Sequence, residues 1–280
     1  MTTTSTTERP DEDVTVSVII PYCEKYTPRE MLEAAIESAE AQVGVDTEII
    51  VVEDEDEKGP AWARNVGLDR AETRYVAFLD GDDVWYETKL LEQLREMDAT
   101  GAGLCVDGDT EYDPIEFAGA LLTGETFALT SSALVDTART DVRFDETLER
   151  REDHLYLIEV AVDTGVCFVS KTFDAGKYEE GLSKHVDVTE EGIDRFFDRV
   201  VERVPEIARF EREYYKNSYV YLGRRRHAAG EYVTAVRHYL TSLTYRPNLL
   251  ALGALGLTLL WGTYDYLTRP ARRMLARGSP

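Results

Sequence analysis

The chain has 280 residues, 43% of them hydrophobic in short periodic runs, which suits one large α/β domain with a smaller appendage and excludes wholesale disorder. Its 54 acidic side chains against 31 basic ones leave a formal net charge of −23 spread along the whole length, so a phosphate backbone is repelled and nucleic-acid binding is disfavoured. Seven lysines against 24 arginines, in so acidic a chain, fit a surface that stays soluble at very high salt and a salt-loving source, a halophilic archaeon for example.

Residues 1–13 are polar, threonine-rich and acidic, with neither a basic nor an apolar leader segment, and read as a disordered tail and not a signal peptide. Val14 to Pro21 (VTVSVIIP) is β-branched with little alternation, the pattern of a fully buried parallel strand. From Arg29 to Val43 the apolar residues Met31, Leu32, Ala35, Ile36, Ala39 and Val43 make a helical stripe. Thr47 to Val52 is a second buried strand, and Pro60 opens a helix running to Ala71. Tyr75 to Leu79 is a third strand that runs straight into Asp80-Gly81-Asp82-Asp83, and Leu90 to Met97 is helical again. Strand and helix alternating at this pace predict βαβ units and a mainly parallel sheet of Rossmann-like type. The middle is less regular: strands are expected at Leu104–Asp107, Ser131–Val135 and Val166–Ser170, and helices at Asp153–Thr164 and Glu190–Val204. From Phe210 onward the pattern is all helical. Cys23, Cys105 and Cys167 are far apart, odd in number and set in apolar runs, which points to core thiols in a reducing, cytoplasmic setting.

In a doubly wound sheet, ligands sit outside the carboxyl ends of the strands. Pro21 and Tyr22 follow the first strand, Glu53 and Asp54 the second, and Asp80 and Asp82 the third. Aiming several carboxylates at one crevice is costly unless a positive group joins them, and Mg2+ or Mn2+ bound to a diphosphate meets that need. A solvated acidic turn is the plain alternative in so acidic a chain.

VSVIIPYCE, TEIIVVEDEDE, GPAWARNVGLDRA and YVAFLDGDDVWYETKLLEQL, in this order, resemble the family 2 glycosyltransferases of the GT-A fold. The resemblance implies that Asp80 leans to the ribose and Asp82 to the metal, that Glu53 and Asp54 read the donor base or ribose, and that Arg64 of Ala63-Arg64-Asn65 lies near the nucleotide. The family more often has Asp-Asp-Gly-Ser where this chain has EDEDE. A second block, from Ser131 to Ala161, resembles the acceptor side, with Phe144-Asp145-Glu146 ahead of Glu152-Asp153. It implies Asp153 as the base that takes a proton from an acceptor hydroxyl, with Glu152 beside it; a simple cap for the following helix is the alternative for Asp153. His185 in GLSKHV falls where relatives place a polar group near the diphosphate or metal. Trp85 is either a core aromatic or a platform for a sugar face.

Leu222-Gly223, Gly230, Tyr232, Ala235, Tyr239, Leu243 and Pro247 follow a tetratricopeptide-like pattern of two helices turning near Gly230. Leu249 to Gly262 is the most apolar stretch, shorter than the ~20 residues of a spanning helix, and Arg269, Arg272, Arg273 and Arg277 follow it. Residues 249–277 therefore suggest peripheral membrane contact, with a helix packed on the preceding pair as the alternative. The expected layout is a disordered tail over 1–13, a GT-A domain over 14–206, a helical hairpin over 207–248 and an apolar-basic helix over 249–280. The function expected is an inverting, metal-assisted transfer of sugar from a nucleotide-sugar donor to a hydroxyl of a glycan or lipid-linked acceptor. A sugar nucleotidyltransferase and a non-catalytic scaffold are the rivals; PYCEKYTP lacks the glycine-rich loop of the first, and the paired acidic motifs speak against the second.

Overall fold

A computed structural model describes residues 14–176, 189–247 and 249–261, which divide into two compact units. The first comprises residues 1–121 and 125–187; the second comprises 122–124 and 188–280. The division falls ahead of the boundary at 206 suggested by the sequence.

In the first unit, β1 (Thr15–Tyr22) lies between β2 (Asp46–Glu53) and β3 (Tyr75–Phe78), parallel to both. β1 is buried on both faces over Val16–Ile20, which is why its sequence does not alternate. The six-stranded order is β2-β1-β3-β6-β5-β7, where β5 is Leu104–Asp107, β6 Leu134–Asp136 and β7 Val166–Val169. β6 is antiparallel to both β3 and β5, and β5 is parallel to β7. The sheet is thus mainly parallel with one reversed strand, the arrangement of a GT-A domain. α1 (Arg29–Glu40), α2 (Pro60–Arg70) and α3 (Lys89–Thr100) are the helices that follow β1, β2 and the turn after β3. α2 sits unusually close to β1: a Cβ at Gly67 would lie 2.3 Å from Ile19 Cγ2.

Three local features differ from the sequence expectation. α4 (Pro114–Thr123) was not anticipated, because IEFAGALL is apolar around most of its circumference and shows no stripe. Residues 131–135 begin as a 3-10 turn, Thr130–Ser132, before β6 starts at Leu134. A two-stranded ribbon pairs β4 (Val84–Trp85) with β8 (Phe173–Asp174) and lies directly after the Asp-Gly-Asp-Asp turn. The helix after Glu152, α5 (Glu152–Thr164), begins where its acidic pair begins.

In the second unit, α6 (Glu190–Arg203) buries Ile193, Phe196, Phe197 and Val200. Its apolar face meets α7 (Glu211–Ala228): Phe197 stacks on Tyr214 at 5.1 Å, and the Tyr214 hydroxyl donates to Ile193 O at 2.9 Å. That packing is why α6 belongs with the helices that follow it. α7 and α8 (Tyr232–Tyr245) form an antiparallel pair around Gly230, whose φ of 76° is the left-handed conformation glycine adopts without strain. At Gly223 an added Cβ would stand 2.5 Å from the Tyr239 ring, so the small residue is what lets the two helices approach. A further helix covers 249–261, tied to α7 by the His227 Nδ1–Thr258 Oγ1 hydrogen bond of 2.7 Å. Among the described residues, no helix is long and apolar enough to cross a membrane.

Candidate active site

The carboxyl ends of β2, β1 and β3 lie side by side, so the residues expected at the three strand ends share one edge of the sheet. Tyr22 closes β1 opposite Glu53, and the Asp54 N–H donates to Tyr22 O at 2.8 Å. Tyr22 is buried and its hydroxyl finds no hydrogen-bond partner among the described residues, while Pro21 is half-buried beside it. Glu53 is exposed and 3.7 Å from Arg29. Asp54 is buried and turned into its own loop: its two carboxylate oxygens accept the Lys58 and Gly59 N–H groups at 2.8 and 2.7 Å. It fixes the path of the EDEDEKG segment, which the sequence pattern alone did not indicate.

The turn after β3 brings three carboxylates together. The Asp83 N–H donates to Asp80 O at 3.0 Å, a tight turn that leaves Asp80 and Asp82 partly open and buries Asp83. Burial, then the neighbouring Asp80 charge, raise the Asp82 carboxyl above its ordinary range. The same two causes push Asp83 up to about 6. Burial and the Asp80 charge thus disfavour the charged forms of Asp82 and Asp83, a cost that a positive group at the turn would relieve.

Arg64, buried in α2, joins the two halves of the site. One end of its guanidinium donates to Asp80 Oδ1 at 2.7 Å and the other to Glu152 Oε1 at 3.2 Å. Its plane lies over the Phe144 ring at 5.3 Å. Burial alone disfavours the cation, but Asp80 and Glu152 outweigh that penalty and hold it above its ordinary range. Arg64 is therefore an interior cation and not an exposed helical arginine.

Asn65, next in the chain, pins the acceptor-side segment. Its side chain accepts from the Phe144 N–H at 2.9 Å and donates to Phe144 O at 3.0 Å and Glu146 Oε1 at 2.7 Å. Phe144 in turn stacks on Tyr156 of α5 at 3.9 Å. ARN and FDE are thus two sides of one contact, and Asn65 is a site residue that sequence reasoning passed over. Its signal was the motif itself, of which only the arginine was read.

Glu152 and Asp153 occupy the first turn of α5 after Arg151, whose φ of 63° is rare for a residue with a Cβ. Glu152 is buried against Arg64; burial and then Asp153 raise its carboxyl, and Arg64 opposes them. Asp153 is half-buried, and one of its oxygens accepts the His154 N–H at 2.7 Å. It is not the helix cap, a position held by Arg151 without a side-chain hydrogen bond. Burial lowers the His154 imidazole. Trp85 is a core residue: it is 3% exposed and its indole N–H donates to Ser131 O at 2.8 Å, so it has no face for a sugar. His185 lies outside the described residues.

Comparison with known proteins points the same way. Residues 55–169 match the family model for Glycosyl transferase family 2. The chain is 26% identical over 196 residues to the succinoglycan biosynthesis protein ExoO of Rhizobium meliloti, covering 51% of this chain and 56% of that one. It is 42% identical over 86 residues to the putative teichuronic acid biosynthesis glycosyltransferase TuaG of Bacillus subtilis, covering 28% and 34% respectively. It is 33% identical over 106 residues to an Escherichia coli protein, the UDP-Glc:alpha-D-GlcNAc-diphosphoundecaprenol beta-1,3-glucosyltransferase WfaP, covering 30% and 41%. The chain therefore spans about half, or less, of the length of these relatives. Among solved structures, S. aureus TarS 1–349 in complex with UDP-GlcNAc superposes with a TM-score of 0.56 at 16% identity, covering 91% of this chain and 92% of that one. At that identity the likeness speaks to the fold.

Proposed function

The chain carries a family 2 glycosyltransferase domain, and from that premise we propose an inverting enzyme that moves a sugar from a nucleotide-sugar donor to a hydroxyl of a glycan or lipid-linked acceptor. The observation that carries the reading is Arg64, which ties the donor-side Asp80 to Glu152, the neighbour of the proposed base. WfaP's name pairs a UDP-sugar with a lipid-diphosphate sugar, and the TarS complex holds UDP-GlcNAc, so a UDP-sugar donor and a lipid-linked acceptor are the first pair to try.

Asp82, with Asp80, would hold Mg2+ or Mn2+, which when bound neutralises charge on the leaving diphosphate. Pro21, Tyr22, Glu53 and the loop shaped by Asp54 form the nucleotide side. Arg64 supplies a fixed positive charge at Asp80 and keeps Glu152 paired inside the protein. Asp153 receives the acceptor's hydroxyl proton as the oxygen attacks the anomeric carbon. The new bond forms as the bond from that carbon to the diphosphate oxygen breaks, and one in-line displacement inverts the configuration. A carboxylate with one oxygen already anchored by a backbone N–H is held in orientation for that transfer.

The helix over 249–261 gives the acceptor reading a second support. It buries Ala251 and Thr258 and turns Leu249, Leu250, Leu252, Leu257, Leu260 and Trp261 outward. An apolar face ending in tryptophan, followed in sequence by four arginines in an otherwise acidic chain, suits the surface of an anionic bilayer. The enzyme would then work at the cytoplasmic face of a membrane.

The donor half is tested by calorimetric titration of UDP with Mn2+ present. Wild type is expected to bind, and Asp82→Ala to lose the Mn2+-dependent part of the affinity. Equal binding by both proteins, with and without Mn2+, would remove Asp82 from the metal site.

A further inference from the structure

The Asp80-Gly81-Asp82-Asp83 turn is held from below by one hydroxyl. Ser131, fully buried in the 3-10 turn Thr130–Ser132, accepts the Asp80 N–H on Oγ at 3.0 Å. The same hydroxyl counts among the groups that favour the charged form of Asp83, against burial and Asp80. A hydroxyl has one proton and two lone pairs, so accepting from the first residue of the turn leaves its proton available to the acidic residue at the turn's end. The geometry points to Ser131 as a positioning residue that sets the separation and direction of the donor-side carboxylates.

Ser131 is itself well fixed. Its carbonyl accepts the Trp85 indole N–H at 2.8 Å, and the next carbonyl, Ser132 O, accepts from Lys89 Nζ at 3.2 Å and Gln93 Nε2 at 2.6 Å. Lys89 and Gln93 are both fully buried, and Lys89 lies over the Trp85 ring at 4.6 Å. The carboxylates are also clasped at the far end of the turn, where the Gly176 N–H donates to Asp83 Oδ1 at 2.7 Å. Ser131 sits where these bonds meet. Without its hydroxyl, the Asp80 N–H loses its partner inside the protein, and the turn is left with the Asp83 N–H to Asp80 O bond and the Gly176 clasp alone. The loss falls on the turn's geometry more than on the fold, because Trp85, Lys89 and Gln93 hold the backbone carbonyls and not the hydroxyl.

This role rests on the glycosyltransferase reading for its consequence but not for its geometry, and two readouts separate them. Ser131→Ala is compared with Ser132→Ala, whose hydroxyl donates to Leu129 O at 2.7 Å. Hydrogen exchange of the Asp80 N–H is measured in both, and UDP affinity is titrated with Mn2+. Ser131→Ala is expected to speed Asp80 exchange and weaken UDP binding by about tenfold, the weight of one hydrogen bond to a charged group, while Ser132→Ala changes neither. Conservative Ser131→Cys, which keeps a weak donor at the same size, should recover part of both. Unchanged Asp80 exchange in Ser131→Ala overturns the inference, and so does faster exchange with unaltered UDP affinity. A wild type that binds no nucleoside diphosphate overturns the donor reading instead; faster Asp80 exchange in Ser131→Ala alone would then still establish the clamp.

Discussion

Lys89 shows how tightly individual side chains of the first unit are committed. It is fully buried with an uncharged amide and carbonyl as hydrogen-bond partners, and burial lowers its ammonium from an ordinary 10.5 to about 8, with Asp107 opposing the shift. The unfolded chain keeps that proton up to the ordinary value, while the folded chain gives it up earlier. Between those pH values folding releases a proton, so the stability from this group is present in full above the upper value and is lost as pH falls through the lower one. Wild type measured by urea denaturation is therefore expected to gain stability from pH 7.5 to pH 10 relative to Lys89→Met, which has no proton to release. Parallel curves for the two proteins would contradict the lowered ammonium. At this scale the sequence exposed residue types but not their partners. Asp80, Asp82 and Asp153 stood out as acids at strand and helix ends, whereas Ser131, Asn65 and the burial of Lys89 depend on segments tens of residues apart meeting in space.

Elements place those residues. α2 packs closely on β1, with Gly67 against the Ile19 side chain, and Arg64, three residues earlier on the same face, is buried by that packing. Alanine in a helix is normally better than glycine by ~1 kcal/mol, but here the new methyl would enter a contact at 2.3 Å from a fully buried side chain. Gly67→Ala is expected to destabilise the protein by roughly 1–2 kcal/mol in urea denaturation, the overpacking term winning. A gain in stability would mean that α2 moves away from the sheet at little cost. The three parallel strands and their helices were legible because buried strands and helical stripes have distinct periods. α4, the reversal of β6 and the β4–β8 ribbon were not: the first is apolar all round, the strand near Leu134 was expected but its direction leaves no pattern, and the ribbon strands are too short to show any period. Likewise, nothing in the periodicity of α6 says which neighbour its apolar face will meet.

For the whole molecule, composition and the helix over 249–261 pull in different directions. A formal charge of −23 repels an anionic bilayer, yet in the sequence the arginines at positions 269, 272, 273 and 277 follow the helix with the outward leucines. Local apolar and basic contact is expected to prevail close to the surface, where the remaining charge is screened. The full chain should sediment with phosphatidylcholine vesicles containing phosphatidylglycerol, and the double variant Leu257→Glu, Leu260→Glu should stay in the supernatant. Equal sedimentation of both would remove that helix from the membrane reading without touching the chemistry.

The central claim is that Asp80 and Asp82 hold the donor while Asp153 activates the acceptor. It is tested most directly by following acceptor-dependent UDP release from a UDP-sugar, with a lipid-linked sugar diphosphate as acceptor, in wild type and Asp153→Asn. The account predicts turnover by wild type and a loss of about 10²- to 10⁴-fold in kcat for Asp153→Asn, with UDP affinity unchanged. An Asp153→Asn protein that turns over at the wild-type rate would contradict it.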